Sequence, residues 1–284
     1  MTTADAQALP KRSVLITGAS SGIGYAAAHH MRERGWRVFA ACRKPEDCNH
    51  LRVQGFDAPL IDYDDSSTIH AGLAEVLDQT GGTLDAVFNN GAYACPGAVE
   101  DVPREALEAI FSTNLFGVHE LTRAVIPVMR AQGHGRIVNC SSVLGLVGLK
   151  WRGAYVATKF AMEGLTDVLR LEMHGTGIRV MLIEPGPITS KIRENAIPHF
   201  ERWIDWRASA RRAEYDTLLK RLYEPDESTD RFELPPTAVC RRLEHALESP
   251  RPRPRYYVTT PTYLAGNLRR ILGTRLLDMI MRRN

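Results

Sequence analysis

The sequence is poor in cysteine, contains no long apolar run and shows no internal repeat, and each shortage excludes something. Its five cysteines, an odd number, stand apart at positions 42, 48, 95, 140 and 240. They show neither the Cys-x-x-Cys pairing of a zinc site nor the density of a disulfide-stapled scaffold. The expectation is a reduced, cytoplasmic protein without a metal. Nowhere do 18 apolar residues run together, and no apolar core of secretory length precedes the basic pair Lys11-Arg12. Neither a membrane span nor export is therefore indicated. Aromatics make up only 7% of the chain, yet apolar residues reach 44% and charged residues 24% of 284. That balance excludes disorder and collagen-like structure and suffices for a sizeable core. Net charge is +3, with the excess in residues 187–284, which carry 19 basic against 13 acidic groups. These basic residues alternate with acids and lack aromatic interleaving, so no nucleic-acid partner is expected.

What is present is an alternation of short β-rich runs with longer helical patterns. Strands are expected at residues 13–17, 37–42, 58–62, 86–89, 136–140, 179–183 and 255–259, with amphipathic helices at 22–34, 67–79, 104–130 and 154–174. Right-handed crossovers between such strands give an α/β fold, a doubly wound parallel sheet of about seven strands with helices on both faces. The rhythm breaks after Pro185. Residues 187–235 are charged, contain Trp203, Trp206, Tyr215 and Tyr223, and show no strand pattern. An insertion at the carboxyl end of a strand falls where ligands bind, so it reads either as a helical substrate lid or as a peripheral helical pair packing its aromatics inward. The whole chain, 1–284, reads as one domain ending in an amphipathic helix over 261–284. There Leu264, Leu268, Ile271, Leu272 and Met279 oppose Arg269, Arg270, Arg275, Arg282 and Arg283. Such a helix covers a substrate pocket or packs on the body or on a second subunit, or makes peripheral contact with an anionic membrane.

The first strand runs directly into Thr17-Gly18-Ala19-Ser20-Ser21-Gly22-Ile23-Gly24, where a helical pattern begins. Glycines in such a turn allow a tight bend, close approach of backbone to a pyrophosphate, and close helix packing. The helix N-terminus then presents free N–H groups to the phosphates. The second strand ends in Ala41-Cys42-Arg43-Lys44, with no carboxylate to repel a 2′-phosphate and a guanidinium able to grip one. NADP(H) is accordingly favoured over NAD(H). Asp62, closing the third run, can accept a hydrogen bond from an adenine amino group, or can belong to a helix-starting turn with Asp64 and Asp65.

Tyr155 and Lys159 are spaced i, i+4 and share a helix face. A neighbouring ammonium stabilises a phenolate and brings a phenol toward working range for proton transfer. Ser142, thirteen residues earlier at the end of a strand, is placed to polarise a carbonyl oxygen, with Ser141 as a competitor. Asn114 is an odd helix-interior choice, because its amide competes with backbone hydrogen bonds.

In this order the segments 17–24, Asn89-Asn90-Gly91-Ala92, Asn114, Ser142, Tyr155 to Lys159 and Pro185-Gly186 resemble the motifs of the short-chain dehydrogenase/reductase family over about residues 11–260. The phrase Val38-Phe39-Ala40-Ala41-Cys42-Arg43-Lys44-Pro45 is similar to the branch of NADP-dependent aldehyde reductases and 17β-hydroxysteroid dehydrogenases. The resemblance implies a Rossmann-type oxidoreductase, a homodimer or homotetramer, that moves hydride between nicotinamide and a small-molecule carbonyl or alcohol. It implies Tyr155 as proton donor and acceptor, and Ser142 as the holder of the substrate oxygen. Lys159 would bind the nicotinamide ribose and acidify Tyr155, and Asn114 would anchor a water. Around the cofactor it implies Gly18, Ser20, Ser21, Gly22, Ile23, Gly24, Arg43, Asp62, Asn89, Tyr155, Lys159, Pro185, Gly186, Ile188 and Ser190. Two departures stand out: Asn-Asn-Gly-Ala replaces the usual Asn-Asn-Ala-Gly, and the hydroxyl expected after Pro185-Gly186 falls at Ser190, with Thr189 beside it. Apolar Val143, Leu144, Leu146, Val147 and Trp151 suggest a hydrophobic aldehyde or ketone, although each can equally belong to the core. A binding protein that senses the dinucleotide without turnover is the alternative, and the full Ser142, Tyr155, Lys159 set argues against it.

Overall fold

A strand covered by helices on both faces needs no polar side, and Ser13–Ile16 (β1), buried at every position, is such a strand. The computed structural model describes residues 12–224 and 231–282. Expectations for residues 1–11, 225–230 and 283–284, which include the leader reading, part of the insertion and Arg283, lie outside the described residues. After β1 come Gly22–Glu33 (α1), Arg37–Ala40 (β2), Pro45–Val53 (α2), Ser66–Thr80 (α3), Ala86–Asn89 (β3) and Arg104–Phe111 (α4). A π-helical segment, Ser112–Gly117, leads into Val118–Gln132 (α5), Gly135–Cys140 (β4), Gly153–Glu172 (α6) and Ile178–Glu184 (β5). The chain continues through Ile192–Trp203 (α7), Arg212–Tyr223 (α8), Thr237–Glu248 (α9), Arg255–Tyr257 (β6), Thr260–Ile271 (α10) and Thr274–Met281 (α11).

The sheet has six parallel strands in the order β2-β1-β3-β4-β5-β6. The doubly wound architecture is therefore as expected, with one strand fewer. The run at 58–62 lies beside β2 but forms only isolated bridges, Phe39 with Asp57 and Cys42 with Leu60. Pro59 has no N–H to donate, which interrupts the ladder in the middle of that run. Helix α2 was not expected. Its hydrophobic signal is short, and only Cys48 and Leu51 are buried.

One apolar layer packs α1 and α9 against the sheet through Ala27, Met31, Val239 and Leu243, and the opposite layer packs α3, α5 and α6 through Ile69, Val125 and Met162. The C-terminal stretch is two helices rather than one. Leu272 is extended (φ −90°, ψ 138°) and Gly273 begins α11, a break consistent with the poor helix propensity of glycine. Helix α10 packs closely on the body, since a Cβ on Gly266 would lie 2.6 Å from the Tyr257 ring. No residue of α11 is buried.

Candidate active site

The turn after β1 brings two backbone segments into contact. Gly18 adopts φ +62° and Gly22 φ +57°, conformations costly for any side chain. A Cβ on Gly24 would lie 2.2 Å from Gly18 O, and one on Gly18 would lie 2.8 Å from Gly91 Cα. Gly91 thus meets the turn directly, which accounts for glycine at position 18. Ser20 is exposed, while Ser21 and Ile23 are half-buried at the start of α1. The absent Cβ atoms and the outward backbone suit a pyrophosphate.

Asn89 and Asn90 divide the labour differently from the expectation. Asn89 is buried and fully committed inside the protein: its Nδ2 donates to Thr122 Oγ1 and Asn139 Oδ1, and its Oδ1 accepts from Tyr63 Oη. Asn90 instead reaches the turn, with Nδ2 donating to Thr17 O at 3.2 Å. Asp62 accepts from Asp64 N at 3.1 Å, so it does serve a local turn, whereas Asp65 caps α3 by accepting from Ser67 N. Arg43 is exposed at the end of β2. Past β5, Pro185 O accepts from Val143 N at 2.7 Å, and a Cβ on Gly186 would lie 2.0 Å from Thr259 Oγ1. Ile188 pairs with Leu234, and Thr189 Oγ1 donates to Glu233. Ser190 is the hydroxyl that faces the glycine turn, with its Cβ 3.3 Å from where a Gly22 Cβ would stand.

Helix α6 presents Tyr155, Lys159 and Glu163 in one i, i+4 row, and all three are buried. Lys159 Nζ donates to Cys140 O at 2.8 Å and stands 5.6 Å from the centre of the Tyr155 ring. Burial lowers the Lys159 pKa. The expected acidification of Tyr155 by Lys159 is not what this arrangement gives. Burial, reinforced by the Cys140 thiol, raises the phenol pKa well above its ordinary value, and the groups that act against this are the Ser142 hydroxyl and the Arg152 guanidinium. One of the three Lys159 ammonium donors is taken by a strand carbonyl, and burial dominates the phenol. Ser142 Oγ also accepts from Leu144 N at 3.1 Å, which orients it. Its competitor Ser141 turns elsewhere. Ser141 Oγ is buried without a hydrogen-bond partner, and both it and Glu163 Oε1 crowd the space where a Gly145 Cβ would stand.

Asn114 lies in the π-helical segment, fully buried. Its Oδ1 accepts from Tyr93 N at 3.0 Å and its Nδ2 donates to Tyr93 O at 2.9 Å, so the amide pairs with the chain leaving β3 as a neighbouring strand would. Its Nδ2 also donates to Thr158 Oγ1 at 3.3 Å, beside Lys159. The helix widens where the side chain competes for backbone partners, as π-bulges at functional positions commonly do.

Beneath the row, Glu163, Glu184 and Asp167 converge on Arg255, whose Nη1 lies 2.8 Å from Glu184 Oε1 and whose Nη2 lies 2.6 Å from Asp167 Oδ2. Burial first, then the Glu163 charge, pushes the Glu184 carboxyl up to about 8. None of this was expected. The partners are 71 and 92 residues apart, so no local pattern announces them.

Above the row lies the insertion. Trp203, Trp206 and Tyr215 join one apolar cluster, with Tyr215 on Trp151 at 4.8 Å between ring centres, whereas Tyr223 is exposed; Tyr155 shares that cluster with Ala196, Phe200, Leu218 and Leu222. The segment forms a helical pair, α7 and α8, that shares its apolar cluster with Tyr155. Among the described residues no helix is long and apolar enough to cross a membrane.

The family model for the short chain dehydrogenases matches residues 12–199. An uncharacterized oxidoreductase of Escherichia coli K12, YbbO, is 38% identical over 271 residues, covering 95% of this chain and 94% of that protein. A 3-ketodihydrosphingosine reductase of Bacteroides thetaiotaomicron is 34% identical over 183 residues, 64% of this chain and 66% of that protein. The solved structure of a short-chain dehydrogenase from Streptomyces avermitilis superposes with a TM-score of 0.78 at 25% identity, covering 98% of this chain and 96% of that one. This chain belongs to the short-chain dehydrogenase family. It is an enzyme of the class that acts on CH–OH donors with NAD(P).

Proposed function

We propose that the protein is an NADP(H)-dependent reductase of hydrophobic aldehydes or ketones. The observation that carries this reading is the convergence of Ser142, Tyr155 and Lys159 under the inserted helices, at the carboxyl end of the sheet that also carries the glycine turn. The bound coenzyme supplies the hydride. Ser142 orients the substrate oxygen, and Tyr155 gives it a proton. Burial keeps the phenol protonated, so the proton donor is in place at neutral pH, and reduction is the working direction with NADPH as the coenzyme. Lys159 holds the coenzyme ribose, and Asn114 anchors a water at the Thr158 side of α6. The similarity to a 3-ketodihydrosphingosine reductase supports a ketone as one reducible group.

Arg43, exposed and with no acid beside it at the end of β2, supports a 2′-phosphate as ligand. Arg43→Ala lowers kcat/KM for NADPH by about ten-fold or more, the loss of one charge-assisted contact, and moves NADH far less. Steady-state kinetics with both coenzymes and a panel of medium-chain aldehydes, retinoids and steroid ketones tests the whole reading. No turnover with any carbonyl would favour a dinucleotide sensor, and equal losses with both coenzymes would remove the 2′-phosphate assignment. The residues of the insertion, 187–235, act in this reading as the substrate lid. We place the protein in the cytoplasm, in keeping with five free cysteines. It would be a homodimer or homotetramer, for which Leu165, Val168 and Leu171 offer an exposed apolar strip on α6.

A further inference from the structure

Helix α11 leaves an apolar face in water. Leu276 and Met279, spaced i, i+3, are both exposed, while Leu277 and Met281, spaced i, i+4, are half-buried on the adjoining face. At the end of α10, Ile271 is 79% exposed, on one face with exposed Leu264 two turns earlier. An apolar patch of this kind ordinarily marks a contact surface. Its border shows what the contact is. Arg275 and Arg282 stand one turn before and one turn after Met279, and Arg269 and Arg270 lie in the last turn of α10. The positive charge continues onto the neighbouring surface. Arg269 Cζ lies 4.6 Å from the centre of the Phe160 ring, and Arg242 on α9 donates to the hydroxyl of exposed Tyr263 at 3.4 Å. Against these cations the two helices hold one acid, Asp278, and among the described residues none of Arg269, Arg270, Arg275 and Arg282 is in an ion pair.

We propose that α11 and the end of α10 dock the protein on an anionic lipid bilayer, with Ile271, Leu276 and Met279 entering the headgroup boundary and Arg270, Arg275 and Arg282 meeting lipid phosphates. Apolar side chains edged by arginine fit that boundary, because each guanidinium reaches a phosphate while its stem follows the apolar phase. A second copy of the chain fits less well. A two-fold contact sets a patch against itself, and here it would bring four arginines of each copy together with one acid of each to offset them. The surface adjoins the candidate active site. A Cβ on Gly186, just past β5, would lie 2.9 Å from Thr262 Oγ1 on α10, and α10 also borders the Val143–Gly145 turn that follows Ser142. Docking therefore holds the site close to the bilayer, where apolar molecules collect.

Co-sedimentation of the full chain with vesicles tests this, comparing phosphatidylcholine alone with an equal mixture of phosphatidylcholine and phosphatidylglycerol. The expected result is about ten-fold or more stronger partitioning onto the anionic vesicles, weakened by added salt as the charges are screened. Each arginine at such a surface contributes about five-fold, so Arg275→Gln with Arg282→Gln lowers partitioning about twenty-fold. Leu276→Asn with Met279→Asn lowers it about ten-fold or more by removing the inserted apolar groups. All four positions are exposed, so both double variants keep the thermal midpoint of the wild type. Equal partitioning onto the two kinds of vesicle, or none, overturns the proposal. So does binding to anionic vesicles that survives Leu276→Asn with Met279→Asn, since that would be adsorption of charge without insertion. A dimer that those asparagines dissociate, in a protein that ignores vesicles, overturns it as well by seating a second copy on the patch. None of these readouts depends on turnover, so failure here leaves the reductase reading untouched.

Discussion

Tyr155→Phe lowers kcat for carbonyl reduction by about a thousand-fold while coenzyme binding survives. A positioned general acid contributes on the order of 10²–10⁴-fold, and this substitution removes the acid alone. The phenyl ring keeps the place of Tyr155 in its apolar cluster, so the packing with α7 and α8 is retained. Single-turnover oxidation of NADPH, read beside fluorescence titration of the coenzyme, separates the chemical step from binding. A variant with an unchanged rate would remove Tyr155 from the chemistry. The buried, unacidified phenol adds a second expectation. Because the Tyr155 pKa is raised, kcat for reduction holds steady from pH 6 to 9 and does not decline on the alkaline side within that range.

Arg255→Ala is expected to cost about 3–5 kcal/mol of stability at pH 8, the usual effect of removing one partner from a buried charge cluster. Glu184 is fully buried and Glu163 nearly so, while Arg255 itself is 20% exposed, and the truncation leaves the two carboxylates facing each other. The pH dependence follows from the sign of the shift. Glu184 holds its proton more tightly in the folded protein, up to about 8, than at its ordinary value of 4.5. The folded state therefore binds more protons than the unfolded state between those values, and stability falls as pH rises through that window. Without Arg255 both carboxyls climb further, so the gap between wild type and variant widens from pH 5 to pH 8. Urea unfolding at the two pH values measures it, and a gap that narrows instead would mean the arginine does not neutralise these acids.

Much of this site was legible in the sequence because its determinants are local. The glycine turn needs only a strand, three small residues and a helix start, and Tyr155 and Lys159 need only helical spacing. Asn114 was legible as an anomaly, and the π-helical widening is where that anomaly shows in the backbone. The strand expected at 58–62 failed because composition alone cannot show that a proline falls in mid-ladder beside β2. What the sequence hid was long-range. Arg255 reaches Glu163 across 92 residues. Spacing put the Lys159 amine on the same helix face as Tyr155 but could not reveal that one of its hydrogen bonds would go to Cys140 O.

The widened turn at Ser112–Gly117 also fixes the phase of the long rod that contains it. A π segment holds one residue more than the α-helical path it replaces. The wide turn absorbs that surplus residue, so α4 and α5 keep a common phase across it. In a regular helix the same extra residue would turn every later position by about 100°, and Leu121 and Val125 could no longer share a buried face with Ala106 and Ile110. Deleting one residue there is therefore expected to leave the two apolar stripes in register and to disturb chiefly the pairing of the Asn114 amide with Tyr93.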